Sequence, residues 1–270
     1  MTPSLTSFRI QGPVGELAAT RSVVAGTEPT IVLLHPVNTA SLVWHPVMRM
    51  SGLSMVALDL RGHGDSGYSG PYTVEDGYVL DVLALLDGLS LDAVHLVGGS
   101  LGGTIALAMA AIYPQRVRSV TTLGSTLGTG VSEAAIADMT AAMHGAGTRR
   151  YFEELVPQIV GPRYRGAPDL AETARVAATR PAAVIEAIMR EAFSADIRHL
   201  AGQVQAPVLA VGGCVDPTCA PEMSIEIASR TGGSYVLLDD VGHLPMLEVP
   251  NRIAELIAAH SGSAQTEVRT

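Results

Sequence analysis

Short runs of consecutive apolar residues, rich in Val, Ile and Leu, recur along the chain at 30–34, 55–60, 93–97, 117–123, 207–211 and 235–238. Each is too short for a helix and leads into a turn followed by apolar positions at helical spacing, which predicts buried strands of a mostly parallel sheet joined by crossover helices. The helical pattern is clearest over 74–89, 102–113, 221–230 and 251–260, with Pro114 and Gly232 as stop signals. The opening stretch, 5–24, alternates apolar and polar residues instead and carries Gly12, Pro13 and Gly15, which predicts an antiparallel hairpin at the sheet edge. A mixed sheet is therefore expected.

From about 126 to 205 the alternation of strand and helix stops. Helical patterns there are separated by Pro157, Gly161-Pro162, Gly166, Pro168 and Pro181, which predicts a helical cap (126–205) inserted between two parts of a core (1–125 and 206–260). The last residues, 261–270, are small and polar and read as a disordered tail.

A length of 270 residues suits one large α/β domain, and 47% hydrophobic with 4% aromatic residues means a core built from Ala, Val, Leu and Ile. A net charge of −9, carried by acidic residues spread along the chain, argues against a nucleic-acid partner or an anionic membrane surface. No apolar run is long enough to span a bilayer, and 1–16 lacks the basic start and apolar stretch of a signal peptide, so a cytoplasmic protein is expected. Cys214 and Cys219 lie in one loop without further ligands at zinc spacing and are expected as free thiols, with no metal site. Self-association is left open.

The run 93–97 passes directly into Gly98-Gly99-Ser100-Leu101-Gly102 and then a helical pattern. This is Gly-x-Ser-x-Gly in a strand–turn–helix setting, where a tight turn exposes a serine at the carboxyl edge of a sheet and small neighbours let strand and helix approach. The helix start aims backbone amides at charge developing on a substrate carbonyl, and Leu101 is placed to donate one of them. A structural serine in a glycine-rich turn is the plainer alternative.

A serine hydroxyl needs a base and a group that orients the base. His243 follows the last strand in Gly242-His243-Leu244-Pro245, and Asp216 follows the preceding strand in Cys214-Val215-Asp216-Pro217, giving the chain order Ser, Asp, His. Asp239 and Asp240 are rival acids that also read as turn residues. His35 and His63 sit in tight loops after strands and read as structural.

On these residues the chain resembles the α/β-hydrolase superfamily from about Val14 to His260. The segments that carry the resemblance are Leu33-Leu34-His35-Pro36-Val37, Asp59-Leu60-Arg61-Gly62-His63-Gly64-Asp65-Ser66, the serine turn, and the Asp216 and Gly242-His243 segments. The resemblance implies an α/β-hydrolase fold with a helical cap, and a second oxyanion amide from Val37. Two positions depart from the family pattern: Pro36 stands where a Gly is usual, and Gly99 stands where many relatives carry a larger residue, which would leave space behind the nucleophile.

Within the superfamily, Gly70-Pro71-Tyr72-Thr73-Val74-Glu75-Asp76, the following Asp81-Val82-Leu83-Ala84-Leu85-Leu86-Asp87 and the compact cap are similar to the 3-oxoadipate enol-lactonase-like and small-molecule esterase group. The implied activity is hydrolysis of a small-molecule carboxylic ester or lactone through an acyl-enzyme, with no cofactor. Cleavage of a carbon–carbon bond in a vinylogous diketone, or ligand binding without catalysis, are the alternatives. Epoxide hydrolases and haloalkane dehalogenases need an Asp where this chain has Ser100.

Trp44, Met139, Met143, Phe152 and Phe193 are expected to line the substrate pocket, joined by Met48, Leu155 and Ile185. Arg149, Arg150, Arg163 and Arg165 of the cap are candidates for holding a substrate carboxylate.

Overall fold

The computed structural model describes residues 3–24 and 30–267. Among these residues eight strands form one sheet: β1 (Leu5–Gln11), β2 (Glu16–Ser22), β3 (Ile31–Leu34), β4 (Met55–Leu58), β5 (Val94–Gly99), β6 (Val117–Leu123), β7 (Val208–Gly213) and β8 (Ser234–Leu238). Their spatial order is β1-β2-β4-β3-β5-β6-β7-β8. β2 pairs antiparallel with both β1 and β4; β4, β3, β5, β6, β7 and β8 pair in parallel. The central strands β3, β4 and β5 are buried along their whole length, which is why they read as unbroken apolar runs rather than alternating ones.

Among the described residues ten α-helices follow in chain order: α1 (His45–Ser51), α2 (Val79–Gly88), α3 (Leu101–Ile112), α4 (Glu133–Ala146), α5 (Thr148–Leu155), α6 (Pro168–Ala177), α7 (Ala182–Ser194), α8 (Pro221–Thr231), α9 (Pro245–Glu248) and α10 (Pro250–Glu267). Helices α4 to α7 all fall between β6 and β7, where the sequence pattern loses its strands. They share a hydrophobic cluster with α1, the turn before it, α9 and α10: Met143, Phe152, Leu170 and Ile185 belong to the same buried group as Trp44, Met48, Met246 and Ile257. A second cluster, around Val82, Leu86, Ile105 and Met109, contains α2 and α3.

Helix α10 runs to Glu267, so 261–267 continue a helix where a disordered tail was expected; 268–270 lie outside the described residues. No proline interrupts this stretch, and Ala264, Gln265 and Glu267 are good helix formers, so small and polar composition alone did not mark the helix end. No helix among the described residues is long and apolar enough to cross a membrane.

The chain leaves β3 to build β4 on one side and later β5 on the other. The crevice at the carboxyl ends of β3 and β5 is thus where strand order reverses, the position at which open parallel sheets bind ligands.

Candidate active site

Ser100 stands at that crevice, between the end of β5 and the first turn of α3. Its backbone takes φ 50° and ψ −119°, a strained conformation for a residue with a side chain. The strain is imposed by how closely strand and helix meet: a Cβ on Gly98 would lie 2.2 Å from the Gly102 carbonyl, and one on Gly102 would lie 2.2 Å from the Leu34 oxygen. The Ser100 amide donates to the Leu123 carbonyl at 2.9 Å, and the Ser100 carbonyl accepts from Gly103 and Thr104, which fixes the turn from both sides. Leu101 opens α3, where backbone amides have no intrahelical acceptor and the helix dipole is positive.

His243 lies between β8 and α9 and is 3% exposed. Its Nδ1 is 2.8 Å from Asp216 Oδ2, and Asp216 Oδ1 accepts from the Thr218 and Cys219 amides at 2.8 and 2.9 Å. Because a carboxylate can only accept, Nδ1 is the donor in this contact, and in the neutral ring Nε2 is then the acceptor nitrogen. The three segments meet at the end of β6. Gly124, next to the Leu123 that holds the Ser100 amide, has φ 51°, and a Cβ there would lie 2.9 Å from Asp216 Oδ2 and 3.4 Å from His243 Nδ1. Asp239 and Asp240 are exposed; Asp240 pairs with Arg163 at 2.9 Å.

Sequence reasoning missed Glu248, in α9. Its carboxylate accepts from the amides of Gly242 (2.9 Å) and Leu244 (3.0 Å), which flank His243, and from Gly161 (2.8 Å) in the α5–α6 connection. One side chain thereby clamps the histidine loop to the inserted helices. Its position five residues after the histidine was the available signal, but a glutamate in a short helix reads as surface.

His35 and His63 are fully buried and structural in their bonding. His35 Nε2 accepts from the Leu60 amide (3.0 Å) and Nδ1 donates to Pro36 O (2.7 Å). His63 Nε2 accepts from the Asn38 amide (3.2 Å) and Nδ1 donates to Arg61 O (3.0 Å). Each ring is a neutral link between the loops after β3 and β4. Burial lowers His35 to about 4, against the attraction of Asp59. Burial first, and Arg180 second, push His63 well below its ordinary value.

A cavity of about 60 Å³ lies over the serine, and Val37, Ser100, Leu101 and Phe193 all line it. The other expected pocket residues do not. Trp44, Met143 and Phe152 are buried in the hydrophobic cluster beneath the inserted helices, together with Met48 and Ile185, and half-buried Met139 and Leu155 pack against it. Apolar residues at helical spacing mark the face a helix buries, and here that face meets the body of the protein rather than the crevice. The remaining wall comes from Thr104, Thr126, Thr129, Val131, Ala192, Thr218, Cys219 and Met223, most of them loop residues without a periodic signature.

The space expected behind Ser100 is filled. A Cβ on Gly99 would lie 3.1 and 3.2 Å from the Pro36 ring and 2.6 Å from Met246 Cε, so the proline that replaces a glycine occupies the volume that the glycine before the serine vacates.

The four arginines expected to hold a substrate carboxylate are also elsewhere. Arg149 and Arg150 pair with Glu153 and Glu154 on the surface of α5, Arg163 pairs with Asp240, and Arg165 is exposed. The arginine that does reach the crevice loops is Arg180, between α6 and α7. Its Nη1 donates to Gly62 O (3.0 Å), and its Nη2 donates to Asn38 Oδ1 (3.0 Å) and Ala177 O (2.9 Å).

The family model for the alpha/beta hydrolase fold matches residues 29–163. A pimeloyl-[acyl-carrier protein] methyl ester esterase of Neisseria meningitidis is 32% identical over 218 residues, 74% of this chain and 79% of the relative. The 3-oxoadipate enol-lactonase 1 of Acinetobacter baylyi is 24% identical over 250 residues, 88% and 90% of the two chains. Among solved structures, the enol-lactonase from Burkholderia xenovorans superposes with a TM-score of 0.83 at 25% identity, covering 91% of this chain and 96% of the other.

Proposed function

Since the chain belongs to the α/β-hydrolase family and is an esterase- or lactonase-type hydrolase, we propose that it cleaves a small-molecule carboxylic ester or lactone through an acyl-enzyme formed on Ser100. Ser100 Oγ attacks the carbonyl carbon and its proton passes to His243 Nε2, while Asp216 holds the resulting imidazolium by the Nδ1 hydrogen bond. Negative charge on the carbonyl oxygen is received by the amides of Val37 and Leu101, the latter reinforced by the dipole of α3. Collapse breaks the carbon–oxygen bond, and His243 returns the proton to the departing alkoxide. That oxygen leaves as an alcohol from an ester, and stays on the acyl chain as a hydroxyl from a lactone. Water, deprotonated by His243, then attacks the acyl carbonyl and frees Ser100. In this reading α4 to α7 are the cap that closes the crevice.

The observation that carries the reading is a serine on a strained turn whose amide is held by the end of β6, where a buried imidazole with its Nδ1 committed to Asp216 also lies. Replacing Ser100 by Ala should lower kcat for p-nitrophenyl acetate by about 10⁴-fold or more, and should abolish the single mass adduct left by a fluorophosphonate probe. Undiminished turnover, or an adduct that persists in the variant, would remove Ser100 from this role.

A further inference from the structure

The wall of the cavity beside Ser100 has a definite chemical character. None of its residues is charged. Three of its five hydroxyls are committed: Thr104 Oγ1 donates to Thr126 O, Thr126 Oγ1 to Gly128 O, and Thr129 Oγ1 to Phe193 O, while the other two belong to Ser100 and to exposed Thr218 at the mouth. Thr126 and Thr129 also accept, from the Gly128 and Val131 amides. Arg198 reaches Gly128 O with Nη2, but its other nitrogens are held by Asp196 and Glu226. A carboxylate placed among these threonines would meet neither a free cation nor an uncommitted hydroxyl proton from them, and an unpaired buried charge is strongly disfavoured.

The size is equally limiting. At about 60 Å³ the space is far smaller than the roughly 300–1,000 Å³ of a pocket that encloses a drug-sized ligand. Phe193 closes one side, and its carbonyl is tied to the loop after β6 by Thr129.

We propose that this cavity is the acyl subsite of the enzyme, shaped for a short uncharged acyl chain or a single small lactone ring, and that it rejects acyl groups bearing a free carboxylate. The proposal rests on Ser100 being the nucleophile. It assigns selectivity to Phe193, which limits length, and to the committed threonines, which refuse charge.

The test compares kcat/KM for four methyl esters by proton release at constant pH: methyl butanoate, methyl decanoate, methyl 4-methylpentanoate and monomethyl succinate. The last two present acyl groups of nearly the same shape, differing in an isopropyl group against a carboxylate. Methyl 4-methylpentanoate should exceed monomethyl succinate by about 100-fold, and methyl butanoate should exceed methyl decanoate by about tenfold. Phe193→Ala should raise the decanoate-to-butanoate ratio. Met223→Arg, which brings a cation to a half-buried wall position, should narrow the charge preference.

A charge preference below tenfold, or equal rates for butanoate and decanoate, overturns the proposal while leaving Ser100 as nucleophile. If none of the four is turned over and the fluorophosphonate leaves no adduct on folded protein, the reading of Ser100 fails and takes the subsite with it.

Discussion

Arg61 and Arg180 are buried alike, 2% and 3% exposed, yet they are held in opposite ways. Arg61 meets a fully buried carboxylate face to face: Nε and Nη2 each lie 2.6 Å from an oxygen of Asp81 on α2, with Nη1 on Pro71 O. Arg180 has no carboxylate partner among these contacts. Its acceptors are the Gly62 and Ala177 carbonyls and the Asn38 amide oxygen, and its Nε makes no hydrogen bond among the described residues. Burial pulls Arg180 down to about 10, while Tyr78, Tyr68 and Tyr72 oppose the shift. Burial raises Asp81, and Arg61 opposes it. The first arginine is a closed pair that fastens the loop after β4 to α2. The second leaves a net positive charge in the seam between the inserted helices and the loops that carry Asn38 and Gly62, so it touches the loop that presents Val37.

Breaking the closed pair should have the largest effect. Asp81→Asn strands a guanidinium in the interior and is expected to lower unfolding free energy by about 3–5 kcal/mol, read from urea denaturation. Arg180→Met removes hydrogen bonds but also removes an uncompensated cation, so a smaller loss of about 1–3 kcal/mol is expected. Equal losses would show that the two arginines differ in partners but not in energetics.

The order should reverse for catalysis. With Asn38 released next to Val37, Arg180→Met should lower kcat on p-nitrophenyl acetate by about tenfold, since small displacements of groups around a reacting centre are expensive. Asp81→Asn, measured below its unfolding range, should change kcat less. A larger rate loss in Asp81→Asn would place the sensitive contact in the pair and not in the seam.

The smallest effects are electrostatic. Arg180 is among the causes that depress His63, so Arg180→Met should raise the His63 pKa, visible in imidazole NMR titration. His35 gives a pH signature of its own. Folded at about 4 and unfolded at about 6.5, it takes up a proton only in the unfolded chain between those values. Its contribution to stability is thus present above 6.5, is lost as pH falls towards 4, and stays lost below that. His35→Gln should flatten the fall of Tm between pH 6.5 and 4. An unchanged slope would assign the fall to other groups.

How much of this was legible in the sequence depends on whether one residue's role is fixed by its neighbours along the chain. The strand at 93–97, the glycines around Ser100 and the strand-end positions of Asp216 and His243 are local patterns, and the structure has the two side chains of the latter pair in contact. The cavity wall is not local: Thr104, Thr126, Ala192 and Met223 come from four elements or loops and share no spacing. Trp44 and Phe152 were misread because an apolar side chain announces burial without saying against what. The arginines show a signal that could have been used. Arg149 and Arg150 each have a glutamate four residues on, the mark of a solvated helix face, whereas Arg180 has Val176, Ala177, Ala183 and Val184 at the helical offsets.

The fit between Pro36 and Gly99 also constrains the routes by which this sequence can have arisen or can be changed. A side chain at 99 is crowded by the rigid proline ring, 3.1 and 3.2 Å from its Cβ, whereas Met246 could swing its terminal methyl aside. Exchange of Pro36 for glycine opens a gap behind the serine that a larger residue at 99 can then occupy. The two positions are therefore expected to change in a fixed order, the loop first and the serine's neighbour second, and a library that randomises position 99 alone should return glycine.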